Sequence, residues 1–163
     1  MPGRIEPEQL KTDLLLPWFI QGFMLITLAV IVIVCITFGE QIQQPLPDAQ
    51  RILIRTILYV IAIVTFPMTN LIRHIQLRLN QTMPYSHDQP RIEAKKRYLL
   101  TVIVSMSLIE SVGIFGFVMF ILGDKFNTLS IFSGLSVLGM FLYRPKVDEY
   151  IGIIEALAAQ KNE

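Results

Sequence analysis

The sequence predicts an all-α membrane protein with four transmembrane helices in two hairpins, followed by a cytoplasmic amphipathic C-terminal helix. Two observations lead to this fold class. Hydrophobic residues make up 53% of the 163 residues and charged residues only 17%, against a usual charged share of about 25%. The charges also lie between four long apolar segments and are nearly absent within them. We therefore expect residues 1–163 to form a single membrane domain.

The first hairpin is predicted from two apolar segments joined by a short polar loop. The first segment, about Pro17–Phe38, contains no charge and begins with a proline, which suits a first helical turn. At ~1.5 Å per residue its 22 residues span about 33 Å, close to the ~30 Å of a hydrocarbon core. Pro45 in the loop ends the first helix, and the second segment runs from about Ile52 to Ile72.

The second hairpin follows a basic connection, Arg73–Arg97. Its first segment covers about Tyr98–Leu122, and a tight turn at Gly123–Lys125 leads into the second segment, about Phe126–Tyr143. Both segments have the length and composition of a membrane-spanning helix.

The C-terminal segment, about Val147–Lys161, differs because its apolar residues recur at helical spacing among acidic ones. Such a pattern predicts an amphipathic helix whose apolar face lies on the membrane or on a partner. The apolar positions are Val147, Ile151, Ile154 and Ala158.

Lysine and arginine placement predicts the orientation. Eleven of the 14 lie in the N-terminal segment, the connection and the C-terminal segment, and three lie on the other side, in or near the loop and the turn. An excess of this kind marks the cytoplasmic face, so both termini are expected in the cytoplasm. The N-terminal apolar run is too long for a cleavable signal. The compact chain without a transit peptide suggests a bacterial inner (plasma) membrane.

Composition and motifs argue against several functional classes. A net charge of +1 gives no reason to expect a nucleic-acid partner. Cys35 is the one cysteine, and His74 and His87 have no ligand spacing, so we expect no metal site. No catalytic constellation or cofactor-binding motif is present, which predicts a protein that is not an enzyme and needs no cofactor.

Glu110 is the residue most indicative of a function, because it lies halfway along the third apolar segment. An acidic side chain at the bilayer centre costs at least ~2.5–3.5 kcal/mol on insertion scales. We expect its carboxyl group to be neutral, and to take part in a hydrogen bond between helices, in ion handling, or in a contact with a partner subunit or lipid. The candidate ion-binding residues are Glu110, Ser107, Ser111 and Ser136.

Small residues predict close packing of the third and fourth helices. Folding this hairpin about its turn places Gly116 opposite Ser133, Gly113 opposite Ser136 and Glu110 opposite Gly139. Small residues at such positions allow helix backbones to approach closely. The helix-packing candidates are Gly113, Gly116, Ser133, Gly134 and Gly139.

The segment Glu110-Ser-Val-Gly-Ile-Phe-Gly-Phe-Val118 resembles the ion-binding helix of proteolipid c-type subunits of rotary ATP synthases. The resemblance covers about Ser107–Leu122. It implies that Glu110 carries a proton or a sodium ion, with Ser111 as a co-ligand. In this chain the carboxylate lies on the first helix of its hairpin rather than the second.

These observations predict a structural or accessory subunit of a membrane complex, with other membrane subunits or further copies as partners. The alternative is proton or cation translocation at Glu110, and a third hypothesis is a lipid-bound regulator acting through its basic connection and tail. Basic residues of the connection are expected to contact anionic lipid headgroups or an acidic partner. They are Arg73, Arg78, Arg91, Lys95, Lys96 and Arg97.

Overall fold

The structure, a computed structural model, describes residues 7–84 and 90–161. Within these ranges the regular structure is entirely α-helical. The part of the basic connection at 85–89, which includes His87, lies outside the described residues. The helices are α1 (Pro7–Ile42), α2 (Asp48–Thr82), α3 (Pro90–Ile121), α4 (Phe126–Leu142) and α5 (Val147–Lys161).

Three of these helices, α1, α2 and α3, are long and apolar enough to cross a membrane. Helices α4 and α5 meet the same criterion only when taken together, and they are bent by 46° at the break between them. Helix α2 has 35 residues, which corresponds to about 52 Å at ~1.5 Å per residue. The long helices therefore extend well beyond the ~30 Å of a hydrocarbon core.

Helix α1 begins earlier than the apolar pattern predicted. It begins at Pro7, so Pro17 lies inside the helix rather than in its first turn. The extension is held by tertiary contacts, because Leu14 is buried in the same core cluster as Ala94 of α3 and Leu157 of α5. The proline that begins the apolar segment therefore does not mark the first turn of α1.

Helix α3 occupies the centre of the fold and contacts each of the other four helices. Its buried face includes Val102, Met106, Ile109 and Val112, all without exposed surface. Large apolar side chains on α1 and α2 instead point outward, with Phe19 72% exposed. A contiguous outer surface of this kind is typical of a helix bundle surrounded by lipid.

Glycines bring α3 and α4 into close contact. A Cβ atom added at Gly113 would lie 3.2 Å from the Ser136 Oγ, and one at Gly116 would lie 2.8 Å from the Phe132 Cβ. Ser133 is buried, and its hydroxyl makes no hydrogen bond within the described residues. Gly134, in contrast, has open space around it and does not pack against another helix.

The register of this hairpin differs from the predicted one near its middle. Gly139 lies against Ile109, because a Cβ atom added at Gly139 would lie 2.6 Å from the Ile109 Cγ2. The residue of α3 that faces Gly139 is therefore Ile109 and not Glu110. Since consecutive helical residues point about 100° apart, this difference of one position turns the carboxyl group away from α4.

Helix α5 folds back onto α2 and α3. Its buried residues are Tyr150, Ile153, Ile154 and Leu157, of which only Ile154 belongs to the predicted apolar face. The buried face of α5 therefore packs against other helices of the same chain. Val147, predicted to lie on that face, is 45% exposed.

Candidate functional site

A buried arginine joins α2 to the break between α4 and α5. The Arg73 guanidinium donates hydrogen bonds to the main-chain oxygens of Tyr143 (2.7 Å) and Arg144 (3.3 Å), and its Nη2 lies 2.6 Å from Glu149 Oε2. The last carbonyls of a helix have no partner within the helix and attract a cation. Arg73 is only 4% exposed, so its guanidinium is committed to contacts within the chain, and its contact with headgroups stays a prediction.

Tyr98 of α3 completes this junction. Its hydroxyl accepts a hydrogen bond from the Lys146 N–H (2.7 Å) and lies 3.0 Å from the Lys146 main-chain oxygen and 3.4 Å from Glu149 Oε2. The junction therefore connects α2, α3, α4 and α5 through polar groups at a single level of the bundle.

A second ion pair lies at the opposite end of α4. Arg55 Nη1 of α2 is 3.2 Å from Asp124 Oδ1, and the Asp124 side chain is 3% exposed. The adjoining loops also pair, because Gln44 donates its N–H to the Ile121 oxygen at 2.7 Å. Gly123 has a φ of +86°, and an added Cβ would lie 2.7 Å from Pro45. Only glycine suits this turn, since its backbone is left-handed and the α1–α2 loop packs directly on it.

These two ion pairs define the ends of an almost charge-free layer. Arg55 and Arg73 are eighteen residues apart on α2, which corresponds to about 27 Å of helix at ~1.5 Å per residue. Residues 14–39, 56–72 and 126–143 contain no Asp, Glu, Lys or Arg, and between 98 and 123 the only one is Glu110. The layer has the thickness of a hydrocarbon core.

Glu110 lies in the middle of this layer on the partly exposed side of α3. Among the described residues its carboxyl group has no hydrogen-bond or ion-pair partner. Ser107 is exposed on the same side, and the Ser111 hydroxyl donates to the Leu108 oxygen at 2.7 Å. The Ser136 hydroxyl donates to the Ile109 oxygen at 3.0 Å. Glu110, Ser107 and Ser111 thus lie near one another along α3, whereas Ser136 is committed to the α3–α4 contact.

Most other basic residues of the connection have partners within the chain. Asp13 of α1 binds Arg91 at 2.6 Å and Lys95 at 3.3 Å, and it accepts a hydrogen bond from the Tyr150 hydroxyl at 2.9 Å. Burial and the hydrogen bond to Asp13 raise the pKa of Tyr150, so its hydroxyl remains a donor. This cluster ties the beginning of α1 to α3 and α5.

Arg97 stabilises the end of α2. Its Nε donates to Glu93 at 2.9 Å, and its Nη1 donates to the oxygens of Asn80 (3.1 Å) and Met83 (2.9 Å). Arg78 and Lys96 are exposed and have no ion-pair partner in the described ranges. Of the six predicted headgroup-binding residues, these two have a cationic side chain without a partner among the residues that the structure describes.

A polar cleft that sequence reasoning missed opens beside the Arg73 junction. It has a volume of about 380 Å³. In the sequence, the Arg144-Pro145-Lys146 segment at the end of the fourth apolar segment was the one feature near this cleft. The residues that α2 contributes are distant from it in sequence, so only the folded structure brings them together. The lining residues are Asn70, Arg73, His74, Leu77, Leu142, Tyr143, Lys146 and Glu149.

The described residues contain no group of three or more His, Cys, Asp or Glu side chains able to hold a metal ion. Comparisons of the chain with protein-family models, curated proteins and solved structures found no match.

Proposed function

We propose that this chain is an integral membrane protein that crosses a bacterial inner membrane four times with both termini in the cytoplasm. We propose further that it serves as a non-catalytic structural or accessory subunit of a membrane complex.

The ends of α4 support four crossings. Asp124, just before α4, pairs with Arg55, and the carbonyls at the end of α4 bind Arg73. Because these arginines are separated by about 27 Å of α2 at ~1.5 Å per residue, α4 covers the same depth as the charge-free part of α2. Helix α5 then begins on the far side of the Arg73 junction, outside the hydrocarbon layer, where the predicted cytoplasmic charges are found.

The partly exposed side of α3 supports the proposal that the chain is a subunit of a larger complex. An acidic residue within the membrane costs about 2.5–3.5 kcal/mol on insertion scales, and such residues almost always face a bundle interior or a cavity. Glu110 is instead partly exposed, with Ser107 exposed near it. A helix from another chain covering this side would provide the hydrogen-bond partners that the described residues lack.

Site-directed photocrosslinking in native membranes tests this proposal. Ile114, one turn from Glu110, is 42% exposed, and Ile63 of α2 is 69% exposed and serves as the matched control. With benzoylphenylalanine at position 114, we expect a protein adduct of discrete mass, whereas position 63 gives lipid adducts only. Absence of a protein adduct at 114, together with purification as a monomer without any other protein, would contradict the proposal.

Proton or cation translocation at Glu110 is the second candidate function. It is supported by the unpaired carboxyl group in mid-layer and by the short resemblance to proteolipid c-type subunits. Ion flux into proteoliposomes is expected to fall in the Glu110→Gln variant, and a hydrophobic carbodiimide is expected to label Glu110. Equal flux in the two proteins rules this function out.

A further inference from the structure

The cleft beside Arg73 combines charge and position in a way that indicates a ligand. It lies where α2, α4 and α5 meet, at one end of the charge-free layer. Leu142 adds apolar surface on the α4 side and is 56% exposed. The cleft therefore offers polar groups beside an apolar wall at the proposed membrane boundary.

The charges in the cleft leave an excess of hydrogen-bond donors. Glu149, its acidic residue, is committed to Arg73 at 2.6 Å, so this pair is neutral as a unit. Lys146 and His74 are exposed, and their side chains have no partner among the described residues. Asn70 is likewise exposed, and within the described ranges its side-chain amide makes no hydrogen bond. With the ion pair neutral, the Lys146 ammonium gives the cleft a net positive charge.

We propose that this cleft binds the phosphate of an anionic phospholipid headgroup. Lys146 and His74 would donate to the phosphate oxygens, and the first acyl carbons would lie along Leu142. Cationic side chains at the cytoplasmic surface of a membrane attract anionic lipids. The inference rests on the proposed bilayer placement, in which the Arg73 level is the cytoplasmic boundary.

Native mass spectrometry of the delipidated full chain in detergent tests the site. The probes are phosphatidylglycerol, phosphatidylcholine and inorganic phosphate, each titrated separately. We expect phosphatidylglycerol to bind more tightly than phosphatidylcholine, and millimolar inorganic phosphate not to displace it. If inorganic phosphate does displace it, the anion site is supported but its natural ligand is free phosphate.

Two charge-matched variants locate the binding. Lys146→Gln removes an exposed cation from the cleft, while Lys125→Gln removes an exposed cation at the opposite end of α4. We expect Lys146→Gln to weaken phosphatidylglycerol binding about fivefold, from the ~1 kcal/mol of one cation, and Lys125→Gln to leave it unchanged. His74→Gln should also weaken it.

Equal binding of the two lipids, or equal effects of Lys146→Gln and Lys125→Gln, would overturn the proposed site. Because binding is measured in detergent, neither result bears on the crossing number or on crosslinking at position 114.

Discussion

Replacing Arg73 with glutamine should strongly destabilise the protein. The substitution removes one partner of a buried ion pair and leaves Glu149, at 2.6 Å in the native chain, without its cation. Breaking a buried pair by removing one partner costs about 3–5 kcal/mol. The Tyr143 and Arg144 carbonyls at the end of α4 also lose their donor. The unfolding equilibrium should therefore shift by roughly 10²- to 10³-fold or more.

Unfolding of the detergent-solubilised protein by increasing mole fractions of a denaturing detergent measures this change. Arg78→Gln is the matched control, since Arg78 is an exposed arginine five residues further along α2, and it should change stability by less than ~0.5 kcal/mol. Should Arg73→Gln fail to fold, Glu149→Gln provides a milder test, because Arg73 keeps its two carbonyl acceptors. Equal stability of all three variants and the native protein would refute the structural role of this junction.

Further substitutions test other contacts in the same unfolding assay. Gly116→Ala should destabilise by about 1–3 kcal/mol because the new Cβ meets Phe132 at 2.8 Å; Gly134→Ala, in open space, should be neutral or stabilising by up to ~1 kcal/mol. Equal effects would contradict the close α3–α4 approach. Tyr150→Phe removes the donor to Asp13 and should cost about 1.5–3 kcal/mol; an unchanged midpoint would show that this bond contributes nothing. Asp124→Asn should destabilise by about 1.5–3 kcal/mol, the range for hydrogen bonds to charged groups, because it removes the carboxylate that binds the partly exposed Arg55, and a stability gain would contradict the pairing.

The apolar segments could be located from the sequence because charged residues are nearly absent within them, and three of the helices that contain them are long and apolar enough to cross a membrane. The C-terminal helix was also predicted with its observed limits, Val147–Lys161. The buried face of this helix was not predicted correctly, because the spacing of apolar residues does not show which other helices surround it. Tyr150 is buried by Tyr98, at a ring separation of 5.6 Å, and by α1, both distant in sequence.

The surroundings of Glu110 depend on helix rotation, which a simple hairpin alignment does not supply. Aligning α3 with α4 by sequence distance from the turn placed Gly113 beside Ser136, where the structure also has it, but brought Glu110 to Gly139 instead of Ile109. An error of one residue in register turns a side chain by about 100°. A rotation of this size is enough to move a carboxyl group from between two helices to the outward-facing side of α3.

Arg73 shows the same limit for charged residues. Its partners lie 70 to 76 positions later in the chain, so no local pattern distinguishes it from Arg78, which is five residues away and exposed. Positive charge beside an apolar segment predicts the side of the membrane, but it does not predict which arginines are buried.

The central claim is that α4 crosses the bilayer between its two ion pairs, and impermeant maleimide labelling of single cysteines tests it most directly. In a Cys35→Ala background, Lys125→Cys and Lys146→Cys place exposed thiols at the two ends of α4. We expect labelling of position 125 in intact cells and of position 146 only after the membrane is permeabilised. Labelling of both positions from the same side would show that α4 does not cross.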